Sequence, residues 1–376
     1  MSWLLVAGDF TPLGGMDVAN HGLARYLSAR DAVHLVTHRA WDDLSGPRLT
    51  IERVPRPLGA HALGAPLLDR AGRRAWARRR ASGAHAIVNG GNCRIDGAIT
   101  WVHYLHAAYR SEVSGSALRH VKQTMTYRRD LANERAAIAA AALVICNSAR
   151  TRDDVLRAYA VDPARVKIVY YGIDADRFGP ASVAERTAAK RALGCDADRP
   201  LVGFVGALGD RRKAFDTLFD AWRALCRDER WDADLIAVGA GGELETWRSR
   251  ASDDGLADRI RFAGFRRDVP AVLPAFDALV HPARYEAYGL SAHEAICRGV
   301  PTLVTASAGV AERLPTSMAD LLIRNPDDAE ELRERLVAWR GRLEQWRDAM
   351  ESVSNAWRAR SWDHMAAEIT ALAEAA

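Results

Sequence analysis

The stretch LVGFVGALGDRRKAFD, Leu201 to Asp216, sets the reading of the fold. Its first five residues are apolar or small and end in a glycine-bearing turn, and Phe215 then opens a segment with apolar residues at helical spacing. A short buried strand, a tight turn and an amphipathic helix are the unit of a parallel sheet with crossover helices. The same rhythm recurs towards the N-terminus, as WLLVAG before a helix at Val18–Ala29, VHLVTH, HAIVNGG, AITWVHYLH, and ALVICNS before a helix at Arg150–Tyr159. It falters between Gly172 and Pro200 and resumes with ADLIAVGAGG, RIRFAGF, ALVHPA and PTLVTA, followed by a helical tail after Asn325. The expected architecture is α/β, with two Rossmann-like doubly wound parallel-sheet domains joined near residues 172–180.

Composition agrees with two domains. The chain has 376 residues, 49% hydrophobic and 27% charged, which is longer than one core usually supports. A formal net charge of +4 is too small to argue for a nucleic-acid partner, yet suits an anionic substrate. The five cysteines are odd in number and far apart, with neither CxxC nor Cys/His metal spacing, which fits a reducing cytoplasm. The longest apolar run, Ala136 to Cys146, is about half of the roughly 20 residues a membrane span needs. A cytoplasmic chain without a spanning helix is expected.

The stretch HPARYEAYGLSAHEAICRGVP, His281 to Pro301, carries the first chemistry. Gly289 and Leu290 precede a helix expected from about Ser291 to Arg298, with Gly299 as its stop. Backbone N–H groups at that helix start, with its partial positive charge, form an anion site. Glu294 in the first turn suits the macrodipole, whereas Glu286, before the glycine, has no such reason to be there. A phosphate carrying hydroxylated sugars explains both, one carboxylate serving a ribose and the other a hexose. Arg211, Arg212 and Lys213 follow the Leu201–Val205 strand, at the sheet edge where doubly wound folds bind phosphates. Three adjacent cations can also be a solvated turn, but this turn and the Gly289 helix start open onto the same edge.

Other features are weaker. Gly14 and Gly15, between the first strand and first helix, would let backbone approach a ligand, although they lack the GxGxxG spacing of a dinucleotide site. His103 and His106 could be zinc ligands, but no third ligand is visible, and a histidine facing the cleft between the halves is the better reading. The pairs Asp174/Asp176, Asp196/Asp198 and Asp232/Asp234 read as turn chemistry, which implies charge neutralisation by Arg and Lys with no metal. A helix carrying Arg70, Arg73, Arg74, Arg78, Arg79 and Arg80 is either a solvated face or a surface for an anionic membrane or acceptor.

Taken in order, these segments resemble the retaining GT-B glycosyltransferases of glycosyltransferase family 4. The resemblance rests on LGG at residues 13–15, VHYLH, ALVICNSARTRDDV, KIVYYGIDADRF, VGALGDRRK, RIRFAGFRRDV, the E-x7-E pattern from Glu286 to Glu294, and GVAE at residues 309–312. It implies transfer of a hexose-type sugar from a UDP- or GDP-sugar, with retained configuration and no metal or other cofactor. The acceptor would be a glycan, a lipid-linked sugar or a small molecule. Glu294 would bind the ribose and Glu286 face the transferred sugar, while the backbone of Tyr288, Gly289 and Leu290, with Gly15, would hold the diphosphate. His103 would lie near the donor sugar with His106 beside it, Phe265 and Arg266 in the base-binding loop, and Lys213 where charge develops. His106, Arg73, Arg74 and Arg78 are the candidates to face an acceptor or the inner face of a membrane. The domains implied are residues 1–177, completed by a tail at 357–376, for the acceptor, and residues 178–356 for the donor.

Two positions depart from the pattern. Ala207 stands where the family has arginine after the glycine of VGR, and Ala214 where it has glycine after the lysine. Arg212, or else Arg211, is expected to replace the missing cation. The competing functions are a catalytically weak nucleotide-sugar-binding subunit, suggested by Ala207, and a nucleotide-sugar epimerase. A dinucleotide oxidoreductase ranks last, because neither glycine turn has its fingerprint.

Overall fold

The computed structural model describes residues 1–12, 14–110 and 117–375, with side chains from 121 onward after the second gap. Leu13 of the LGG motif lies outside the described residues. Two all-parallel sheets account for the strand rhythm of the sequence. The first is built from β1 (Ser2–Val6), β2 (Ala32–Thr37), β3 (Leu49–Arg53), β4 (His85–Asn89), β5 (Ile99–Val102), β6 (Leu143–Cys146) and β7 (Val166–Ile168). Their spatial order is β3-β2-β1-β4-β5-β6-β7. The second contains β8 (Leu201–Val205), β9 (Asp234–Val238), β10 (Ile260–Gly264), β11 (Ala278–His281), β12 (Thr302–Thr305) and β13 (Leu322–Ile323), ordered β10-β9-β8-β11-β12-β13. In each sheet the first strand is central and the order reverses beside it, which opens a crevice at the strands' carboxyl ends. For the second sheet that crevice lies between β8 and β11, where Val202 registers with Ala278 and Gly203 with Leu279.

Burial explains why these runs are strands. Leu4, Leu5, Val6, Leu201, Val202 and Phe204 are all within 2% of complete burial, so the central strands are covered on both faces and read as continuous apolar runs. The helix Phe215–Leu225 buries Phe215, Leu218, Phe219 and Trp222 against the second sheet.

The described chain forms two compact units, one of residues up to Gly172 together with Arg360 onward, the other from Ile173 to Ala359. These divisions lie a few residues from the expected 177/178 and 356/357. Ile173 and Phe178 pack in the core of the second unit, and so does Trp357. The tail therefore returns to the first unit from Arg360, whose guanidinium donates to the Tyr170 carbonyl at 2.9 and 3.1 Å. The helix Trp362–Glu374 packs along the helix Gly15–Ser28. At Gly172 the two passing segments touch so closely that a Cβ would lie 2.2 Å from the Ser361 carbonyl.

Within the second unit, a buried ion cluster ties three elements together. Lys190 Nζ, on the helix Val183–Ala192, lies 2.9 Å from Asp277 Oδ2. Asp277 also accepts from the Leu201 backbone N–H at 2.8 Å and from Arg347 of the helix Leu343–Arg358 at 2.6 Å.

Candidate donor site

The turn after β8 is shaped by its own side chains. Asp210 accepts from the Arg212 backbone N–H through Oδ1 and from Arg212 Nε through Oδ2, both at 3.0 Å, fixing one 3-10 turn at Arg211–Lys213. Ala214 then adopts φ 51°, ψ 39°, the left-handed region in which a side chain is strained. That reversal starts the helix at Phe215 and sends the Lys213 side chain back over the sheet edge. Its Nζ donates to Glu286 Oε2 at 2.6 Å.

The facing loop follows β11. His281 ends that strand, is 2% exposed, and places Nε2 3.2 Å from the same Glu286 oxygen. Arg212 Nη1 lies 3.5 Å from it as well. Burial alone would raise the Glu286 carboxyl, but Lys213, His281 and Arg212 together hold it well below the ordinary carboxylate range. Arg284 braces the two loops: its backbone N–H donates to the Arg212 carbonyl at 2.8 Å, and its guanidinium meets Asp216 at 2.8 and 2.9 Å and Asp327 at 2.6 Å.

Beyond Glu286 the backbone is pinned by Gly309 N–H on the Glu286 carbonyl, at 3.1 Å, and Val310 N–H on the Tyr288 carbonyl, at 2.7 Å. Gly289 has φ 108°, and a Cβ there would come within 3.0 Å of Val310, so glycine is needed on both counts. The helix Leu290–Cys297 starts directly after it with no side-chain cap, which leaves the start suited to an anion. The Tyr288 side chain turns inward; its hydroxyl lies 2.9 Å from His293 Nδ1 and accepts from Arg313 Nη1 at 2.7 Å, and the His293 ring meets Trp357 edge-on. Glu294 is the fifth residue of this helix and lies past its first turn, not in it as expected, because the helix already starts at Leu290; its carboxyl is enclosed. Burial pushes it up to about 8, against a small opposing pull from Arg177.

The structure thus brings Arg212, Lys213 and Glu286 together and places Gly289, Leu290 and Glu294 in the segment that follows. Arg211 instead turns towards Asp216, at 3.6 Å, and is half exposed. Ala207 borders a pocket of about 220 Å³ with Gly209, Glu243 and Trp247. Phe265 presents a ring that is 68% exposed, beside Arg266, which makes a two-point pair with Asp268 at 2.6 and 2.8 Å. His281 and the Arg284 brace escaped the sequence reading. The signal was present, because His281 ends a strand adjacent to β8 and Arg284 follows it. His281 meets Glu286 only five residues on, but Arg284 reaches back some 70 residues to Arg212 and Asp216 and forward 43 to Asp327.

In the first unit, Gly14 caps the helix Gly15–Ser28 at φ 86°. Asp17 in its first turn is raised to about 7 by burial and by Asp9, against Arg39 and Arg56. His103 is buried and held at both ring nitrogens. Nε2 lies 3.2 Å from Asn89 Oδ1, leaving Nδ1 to accept from the Tyr171 hydroxyl, and burial lowers the ring to about 3, so it is neutral. His106 does not join it, because its backbone N–H and Nδ1 reach the buried Glu134 at 2.7 and 2.9 Å. Two of the three Asp pairs behave as turns, Asp174 and Asp196 each accepting from the N–H two residues on; the third does not, because Asp234 opens β9 and both Asp232 and Asp234 pair with arginines. Arg73 pairs with Asp69 at 2.7 Å, and Arg74 and Arg78 are exposed.

Comparison with known proteins bears on the family and the fold. The Glycosyltransferase Family 4 model matches residues 13–177, and the Glycosyl transferases group 1 model residues 199–361. A 2-deoxystreptamine N-acetyl-D-glucosaminyltransferase of Streptomyces fradiae is 29% identical over 85% of this chain and 81% of its own. A D-inositol 3-phosphate glycosyltransferase of Geodermatophilus obscurus is 27% identical over 86% and 76%. Among solved structures, Anabaena HepE in complex with UDP-glucose superposes with a TM-score of 0.75 at 18% identity over the whole of both chains, which shows the shared GT-B fold. With one model on each half and a GT-B neighbour across the whole length, the chain belongs to the family 4, group 1 glycosyltransferases.

Proposed function

We propose that this glycosyltransferase moves a hexose-type sugar from a nucleotide diphosphate sugar to a glycan, lipid-linked or small-molecule acceptor, with retained configuration and without a metal ion. One observation carries the reading: Glu286 is held ionised by Lys213, Arg212 and His281 at the mouth of an uncapped helix start. A diphosphate leaving group gains negative charge as its bond to the sugar breaks. Lys213, with Arg212 beside it, meets that charge, and the backbone at Gly289 and Leu290 holds the phosphate already bound. Arg212 is the cation that makes up for Ala207, since it reaches Glu286 while Arg211 turns away. Glu294 takes the ribose diol, Phe265 offers a face for the base, and neutral His103 serves the donor sugar as a hydrogen-bonding group.

Turnover of a panel of UDP- and GDP-sugars against cyclitol, glycan and lipid-linked acceptors tests this reading, with the product anomer read by NMR. Activity is expected to survive EDTA. Inverted configuration, or abolition by EDTA with rescue by a divalent cation, would refute the mechanism. The second reading, a binding subunit without transfer, draws on Ala207. It predicts nucleotide binding by calorimetry with neither transfer nor donor hydrolysis across the panel.

A further inference from the structure

The helix His61–Arg79 takes no part in the donor site. It buries Gly64, Ala65, Leu68, Ala71, Gly72 and Ala75. Leu68, Ala71 and Ala75 join Leu4, Val6 and Val36 in the core of the first unit. Along one flank of that buried face, Leu63, Leu67, Arg70, Arg74 and Arg78 follow one another at steps of three or four and form one exposed stripe. Leu63 and Leu67 are 47% and 38% exposed, and Leu58 in the preceding turn is 95% exposed.

The arginines of this stripe contrast with several on the helices of the second unit. In the second unit Arg335 pairs with Glu331, Arg340 with Asp232, Arg342 with Asp320 and Arg347 with Glu344, all within 2.9 Å. That is how a solvated arginine-rich face is ordinarily neutralised. Between residues 61 and 82 there are six arginines against a single acid, Asp69, which is spent on Arg73. Arg79 turns inward to the Ala75 carbonyl and His34. Among the described residues, Arg70, Arg74 and Arg78 have no carboxylate within ion-pair distance. Bare cations alone would fit any polyanion. Bare leucines continuing the same stripe fit a surface that is anionic on the outside and apolar just beneath.

We propose that this face docks the protein on an anionic lipid surface, with Leu58, Leu63 and Leu67 entering the headgroup boundary and Arg70, Arg74 and Arg78 on lipid phosphates. The contact is peripheral: among the described residues no helix is long and apolar enough to cross a membrane. The proposal is independent of the donor site, which lies in the other unit.

Flotation of the full chain with phosphatidylcholine vesicles, with and without phosphatidylglycerol, is the test. Binding is expected only with phosphatidylglycerol and is expected to fall as salt is raised. Each Arg→Ala change at 70, 74 or 78 should weaken partitioning about 5-fold, and the triple change about 100-fold. The double change Leu63→Ser and Leu67→Ser should weaken it with all charges in place, which a purely electrostatic contact would not show. Circular dichroism verifies that each variant is folded, and a UDP thermal shift reports separately on the donor site. Absence of vesicle binding, equal binding to neutral vesicles, binding to heparin alone, or a folded triple variant that binds as the parent does would each overturn the proposal.

Discussion

Glu286 and Glu294 share one short segment yet stand at opposite ends of the carboxyl scale. The first is held ionised by three partners, and the second is raised to about 8 by burial. Because Lys213 and Glu286 are assigned to charge development at the leaving group, Lys213→Ala and Glu286→Ala should each lower kcat by roughly 10²-fold or more. Near-parental turnover in both would sink the assignment. Glu294 makes a pH prediction. Its folded value lies above the ordinary 4.5, so the native state keeps a proton that the unfolded chain releases, and stability is lost as pH rises from about 4.5 to about 8. Glu294→Gln should therefore raise Tm at pH 8, with the gain vanishing near pH 5. Hydroxyl groups donating to this carboxyl favour its ionised form. UDP binding at pH 7 should release protons, seen as calorimetric heats that change with buffer ionisation enthalpy, and buffer-independent heats would contradict the ribose role.

At the level of elements, periodicity sufficed for much of the fold. Strands such as Leu201–Val205 and helices such as Phe215–Leu225 are buried on the faces their apolar residues define, so spacing alone reveals them. The Gly289 helix start was equally legible, because a glycine before a capless helix has few other uses. What spacing could not show is how elements meet. Neither His281 at Glu286, nor Arg284 between Asp216 and Asp327, nor Tyr171 and Asn89 around His103, follows from local pattern. The helix Ala117–Ala140 also went unread, since its charges are spread around it instead of being kept to one face. The Lys190–Asp277–Arg347 cluster belongs to this hidden class, and it binds a helix, a strand N–H and a second helix through one buried carboxylate. Asp277→Ala leaves Lys190 buried without its counter-charge, and should cost about 3–5 kcal/mol in the urea unfolding of the second unit. A loss below about 1 kcal/mol would show that water reaches the site and compensates.

For the molecule as a whole, the telling contact is the one between Gly172 and Ser361, where the outgoing and returning segments pass. A methyl group there cannot be accommodated without moving backbone. Gly172→Ala should therefore destabilise the first unit by about 1–3 kcal/mol, the usual range for overpacking. The effect should appear as faster amide exchange across Trp362–Glu374, and unchanged protection of that helix would refute it. The Arg360 bonds to the Tyr170 carbonyl and the approach of Tyr171 to Trp362, with ring centroids 5.9 Å apart, place the same joint beside His103, since Tyr171 donates to that imidazole.

The docking of Trp362 against Gly22, whose Cβ position lies 3.2 Å from it, also bears on biogenesis. On the ribosome, the strands of the first unit are made before those of the second, but the helix that covers Gly15–Ser28 is translated only after the second unit. The first unit is thus completed only after the second has been made, and throughout that synthesis it must wait with that helix face uncovered.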